Sequence, residues 1–94
     1  MEEQTMEIKG IYIIKEALKK YSKESVLINT FHKLYGKQKI MCKLDYIFDN
    51  ERVGFKAVNG QEIFIYRDEI IDYGIKDGIY FADSLMEIQI KKIA

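Results

Sequence analysis

The sequence predicts an α+β domain: one or two N-terminal helices, then a five- to six-stranded antiparallel meander forming a small barrel or a strongly twisted sheet. Three observations predict it. Asn59-Gly60 separates the apolar runs 53–58 and 62–66. Lys76-Asp77-Gly78 separates 70–75 from 79–82. Tight hairpin turns need residues that tolerate positive φ, so Asn-Gly and Asp-Gly between apolar runs signal hairpins. Upstream, apolar residues recur every three or four positions, which is the period of a helix face.

Residues 1–5 are polar and are expected to be disordered. Over residues 6–21, Ile8, Ile11, Ile14, Leu18 and Tyr21 line one face, with Lys9, Lys15, Glu16, Lys19 and Lys20 opposite. Gly10 works against this helix, since glycine costs about 1 kcal/mol in a helix interior. The run 11–14 is also strand-prone. A second helix is expected over 24–35, capped by Ser22 or Ser25, with Leu27, Ile28, Phe31, Leu34 and Tyr35 on one face. Gly36 suits the left-handed position after it. A strand over 25–31 is the alternative. The helical part is thus 6–36, the meander 38–93, and residues 6–94 form a single domain.

From Gln38 the period becomes two: Ile40, Cys42, Leu44, Tyr46 and Phe48 alternate with Lys39, Met41, Lys43 and Asp45. Asp49-Asn50-Glu51 turns the chain. A two-residue Asn59-Gly60 loop pairs Phe55 with Phe64 and Val53 with Tyr66, leaving Ile63 and Ile65 on the other face. Strand 63–66 is then apolar on both sides, which predicts a central strand. In the second hairpin, a three-residue loop with Gly78 as a left-handed bulge puts Ile71, Tyr73, Ile75, Ile79 and Phe81 on one face. Asp72, Gly74, Tyr80 and Ala82 lie on the other. Met86, Ile88 and Ile90 alternate with polar residues in a last strand.

With 94 residues the chain has room for one domain. Its 48% hydrophobic content suffices for a core. Fifteen basic and fifteen acidic side chains cancel, which removes any global attraction to nucleic acid or anionic membrane. No apolar run reaches the ~20 residues of a membrane span. The acidic start Met1-Glu2-Glu3 is unlike a signal peptide, so a cytoplasmic location is expected. The lysine-, isoleucine- and tyrosine-rich, proline-free composition suggests an AT-rich bacterium or its phage.

The chemical inventory is thin. Cys42 is the single cysteine, so no internal disulfide forms, and its place between Ile40 and Leu44 reads as a small buried hydrophobe. His32 is the single histidine and lacks partners at ligand spacing. No P-loop, GxGxxG, HExxH, GxSxG or CxxC pattern occurs, and the acidic residues lack EF-hand spacing. The expectation is a chain without enzymatic activity, cofactor or metal.

Charge is segregated. Lys15, Lys19, Lys20, Lys23, Lys33, Lys37 and Lys39 crowd the first half against only Glu16 and Glu24 after Lys9, while the stretch 45–87 is acidic. Exposed tyrosines favour protein interfaces. The reading is a protein-binding module, a small bacterial or phage regulator or inhibitor, with partner-binding residues Tyr66, Asp72, Tyr73, Asp77, Tyr80 and Asp83. Two alternatives stand. One is a homo-oligomer subunit joined through open sheet edges. The other is a nucleic-acid-binding small barrel. Helix-then-meander resembles the layout of Sm-like domains, although no Sm-type nucleotide-binding signature is present. In that alternative the lysine-rich segment supplies the contacts, at Lys15, Lys19, Lys20 and Lys23.

Overall fold

A computed structural model describes residues 2–93, with side chains from residue 10 onward. The elements are α1 (Glu2–Tyr21), β1 (Ser25–His32), β2 (Gly36–Lys43), β3 (Tyr46–Phe48), β4 (Arg52–Lys56), β5 (Glu62–Tyr66), β6 (Asp72–Ile75), β7 (Ile79–Ala82) and β8 (Met86–Lys92). A short 3-10 turn, Arg67–Glu69, joins β5 to β6. The fold is α+β, with one helix and eight strands. The backbone of α1 takes in most of the stretch 1–5. Met1, Ala94 and the side chains of 1–9, Ile8 included, lie outside the described residues.

The helical spacing of residues 11–18 holds: Ile11, Ile14 and Leu18 are buried on one face of α1. Gly10 has a packing reason. A Cβ there would fall 1.8 Å from the Tyr73 hydroxyl, so glycine leaves room for the tip of that side chain against the helix. Lys23 ends the helical segment in the left-handed region at φ 66°, and its N–H donates to Leu44 O at 2.9 Å.

The expected second helix is instead a strand and the start of a hairpin. Val26, Ile28 and Thr30 point inward and are buried in β1, a period of two among β-branched residues. Leu34 and Tyr35, counted on a helix face, stand exposed at the hairpin tip. Gly36 at φ 84° opens β2 rather than ending a helix. The helical part therefore stops at Tyr21.

The strands form two sheets rather than a closed barrel. The five-stranded sheet has order β2-β1-β8-β7-β6 and the three-stranded sheet β3-β4-β5. Two corners keep them apart: buried Leu44 with Asp45 between β2 and β3, and the 3-10 turn between β5 and β6. β1 pairs with β8 at the other end of the chain, which places β2 and β6 at opposite edges.

The first hairpin is one residue out of the expected register. Phe55 faces Ile63 and Val53 faces Ile65. The loop holds three residues, closed by Ala57 N–H to Gln61 O at 2.8 Å and Gly60 N–H to Ala57 O at 2.8 Å. Only Gly60 of the Asn59-Gly60 pair has positive φ, 87°. The glycine is thus a bulge, and one extra residue moves every side chain to the other face. Val53, Phe55 and Ile65 go inward together. Phe64 and Tyr66 go outward and pack edge-on at 5.3 Å. β5 is an edge strand, not a central one. The second hairpin has the expected register, Ile75 with Ile79 and Tyr73 with Phe81, with Gly78 at φ 131°.

The core lies between α1, the inner face of the five-stranded sheet and the inner face of the three-stranded sheet. Phe55 and Phe81 are its largest side chains, packed with Ile14, Leu18, Ile28, Ile65, Ile79, Ile88 and Ile90. α1 packs on β6 and β7 and touches β3.

Candidate functional site

Among the described residues, everything that covers the five-stranded sheet lies on one side of it. The other face is open among them, and its layout follows from the register. One row runs Lys37, Phe31, Glu87, Ala82, Asp72 across the five strands. The next runs Lys39, Asn29, Gln89, Tyr80, Gly74. A third brings Met41, Leu27 and Lys91 side by side. An open depression of about 560 Å³ lies over Asn29, Phe31, Lys39, Tyr80 and Gln89.

The face grades from basic to acidic. Lysines occupy β2 at one edge, Glu87 lies on the middle strand β8, and Asp72 lies on β6 at the other edge. Tyr80 marks the acidic side: its hydroxyl donates to Glu87 Oε1 at 3.4 Å. Partial burial, then the Glu87 and Asp72 carboxylates, push this hydroxyl above its usual range. It therefore stays a neutral donor. Between the edges the face is apolar and amide: Phe31 is 40% exposed, with half-buried Asn29 and Gln89 beside it, and Met41 stands exposed on β2 itself.

Of the expected partner-binding residues, the structure brings Asp72 and Tyr80 together here and separates the rest. Tyr66 is on the outer side of the three-stranded sheet, beside Phe64. Tyr73 lies on the inner side of β6, its hydroxyl over Gly10. Asp77 sits in the β6–β7 turn at φ 58°. Asp83 is at the other end of β7, where its Oδ1 accepts the N–H groups of Leu85 at 2.8 Å and Met86 at 2.6 Å. Asp77 serves its turn through its backbone and Asp83 through its carboxylate.

The four lysines of the nucleic-acid alternative are not gathered either. Lys15 lies over the rings of Tyr12 and Phe48, 5.4 and 5.7 Å from their centroids. Lys19 pairs with Glu16 at 3.8 Å. Lys20 lines a groove beside Ile75, and Lys23 makes the turn after α1. His32 is used locally: Nδ1 accepts Leu34 N–H at 3.0 Å and the ring stacks on Tyr35. Cys42 is on the core side of β2, and burial pushes its thiol up.

Phe31 and Asn29 escape notice in the sequence because a helix is expected over 24–35; Lys37 and Lys39 lie beyond it and count there only toward the basic first half. The signal that finds them is the β-branched alternation Val26, Ile28, Thr30 with Leu27, Asn29, Phe31 between. Among the described residues, no group of His, Cys, Asp and Glu is placed to hold a metal ion. Nor, among them, is any helix long and apolar enough to cross a membrane. No family model, no curated protein and no solved structure matches the chain.

Proposed function

We propose that this chain is a non-catalytic protein-binding module that works through the outer face of its five-stranded sheet, as a small cytoplasmic regulator or inhibitor of a bacterium or phage. The observation that supports it most is that face itself. An antiparallel sheet with one solvated face alternates apolar-in with polar-out. Here Leu27, Phe31, Met41 and Tyr80 occupy outward positions among polar ones, Leu27 beside Met41 and both Phe31 and Tyr80 on the depression. An apolar and amide centre with charged margins has the composition of a non-obligate protein interface. The catalytic inventory supports the same reading, since His32 is committed to its turn and Cys42 faces the other way.

The test is affinity capture from the native host with three forms of the protein: wild type, F31E on the face, and V58E on the distant β4–β5 loop. A partner retained by wild type and V58E but lost with F31E supports the proposal. Equal retention by all three, or none by wild type, overturns it.

A further inference from the structure

The two edges of the five-stranded sheet are built differently. β2 is eight residues long and carries Lys37, Lys39 and Lys43. Lysines on an edge strand are a standard guard against strand addition, because a neighbour would have to desolvate them. β6 carries no lysine, only Asp72, Tyr73, Gly74 and Ile75. It leaves an unpaired row of backbone N–H and C=O groups. Beside Ile75 runs a groove of about 460 Å³ whose wall is α1, including exposed Ile13 and buried Ala17. Ile13 and Ile75 are 55% and 48% exposed.

We propose that β6 is a strand-addition site for an extended peptide segment whose residues alternate between large apolar and basic. An unpaired strand edge is satisfied by another extended backbone, and alternate side chains of that strand fall on opposite faces of the sheet. On the inner side they meet Ile75, Ile13 and Ala17, which calls for apolar residues. On the outer side they meet Asp72 and the space over Gly74, with Glu87 two strands away, which calls for lysine or arginine. Gly74 is the second independent sign. A Cβ there would touch nothing within 4 Å, so a long guest side chain can cross the edge toward Tyr80. The four residues of β6 make the paired segment about 13 Å long. This site goes beyond the outer-face reading and shares only Asp72 and the flank of Tyr80 with it.

The test uses a synthetic Lys-Val-Lys-Val-Lys-Val peptide with blocked ends, titrated into isotopically labelled protein. The controls are a Lys-Lys-Lys-Val-Val-Val peptide and the alternating peptide N-methylated at every second amide. The expected result is perturbation and slowed hydrogen exchange of the amides of Asp72–Ile75 by the alternating peptide alone. I13Q and I75Q replace exposed side chains and should weaken it by about tenfold or more. D72N should erase its advantage over a Thr-Val alternating peptide. Failure to bind at millimolar peptide, equal binding of the block or N-methylated peptide, or perturbation confined to other strands overturns the proposal. Protection of β6 that grows with protein concentration alone also overturns it, and assigns the edge to a second copy of this chain.

Discussion

Two strand glycines give a sharp test of the three-stranded sheet and its register. In β4, Gly54 faces Phe64, and a Cβ built there falls 2.0 Å from Ile63 O and 2.5 Å from Phe64 Cα. These are backbone atoms of the paired strand and cannot rotate away, so G54A must push β5 off its ladder. Overpacking costs ~1–3 kcal/mol where side chains can yield, and a backbone clash belongs at or above the top of that range. A loss of about 3 kcal/mol is a large share of the roughly 5–15 kcal/mol that holds a domain together. It corresponds to a drop in Tm of roughly 12–24 °C for a chain of this size. Gly74 is the matched control: same substitution, same secondary structure, but open space around the new methyl. G74A should be neutral or stabilising by about 0.4–1 kcal/mol, since it reduces the freedom of the unfolded chain. Urea and thermal unfolding followed by circular dichroism measure both. If G54A stays within about 0.5 kcal/mol of wild type, the size of an ordinary surface change, Gly54 does not back onto Phe64 and the register is wrong.

Other outcomes follow from the turns and the titrating groups. K23G should stabilise by up to about 1 kcal/mol in urea unfolding: removing a left-handed non-glycine residue relieves ~1–2 kcal/mol, less the extra entropy glycine loses. D83A removes the acceptor for two N–H groups of the β7–β8 turn and should cost about 1–2 kcal/mol by the same assay. Asp49 accepts the N–H groups of Glu51 and Arg52 and pairs with the Arg52 side chain, and these contacts hold its carboxyl below the ordinary 3.8. Its contribution is therefore fully present above pH 3.8 and is lost as the pH falls through its lower folded value. D49N should flatten that acid limb of a stability–pH curve, and an unchanged limb refutes the assignment. Cys42 should alkylate more slowly in the folded protein at pH 8 than after unfolding, because burial raises its thiol.

What the sequence disclosed depended on whether local chemistry decided the structure. The register of the second hairpin was legible because a three-residue loop segregates apolar from polar residues more cleanly than a two-residue one, and Ile79 and Phe81 do face inward. The first hairpin contains an equally plain Asn-Gly, yet a left-handed bulge and a two-residue turn differ by one residue, and the choice rests on which side chains reach the core. Val53, Phe55 and Ile65 reach it together only in the bulged register. β1 was misread because Leu27, Phe31, Leu34 and Tyr35 fall at helical spacing by coincidence, two of them ending at an exposed tip. The β1–β8 pairing joins residues from opposite ends of the chain, and no local signal announces it. The candidate face depends on that pairing, so only its acidic side, Asp72 and Tyr80, could be named beforehand.

The segregated charge of the sequence takes a meaning that neither half suggests alone. Basic helices lying against an acidic sheet would have neutralised it internally. Instead Lys37, Lys39 and Lys43 of the lysine-rich half stand on strand β2, and Asp72 belongs to the opposite edge, with three strands between. Four strand spacings put β2 and β6 roughly 19 Å apart, more than twice the ~8 Å over which charges act at physiological salt. The ion pairs among the described residues join Lys19 to Glu16, Arg52 to Asp49 and Glu62, and Lys92 to Glu24; none spans the open face. The two margins therefore do little for folding. Raising NaCl from about 0.05 M to about 0.5 M should change the unfolding free energy by less than ~0.5 kcal/mol, while any partner held by both margins should weaken steeply over the same range. A loss of folding stability above ~1 kcal/mol would mean that the charges neutralise each other within the chain, and the open face would lose its claim to be a binding surface.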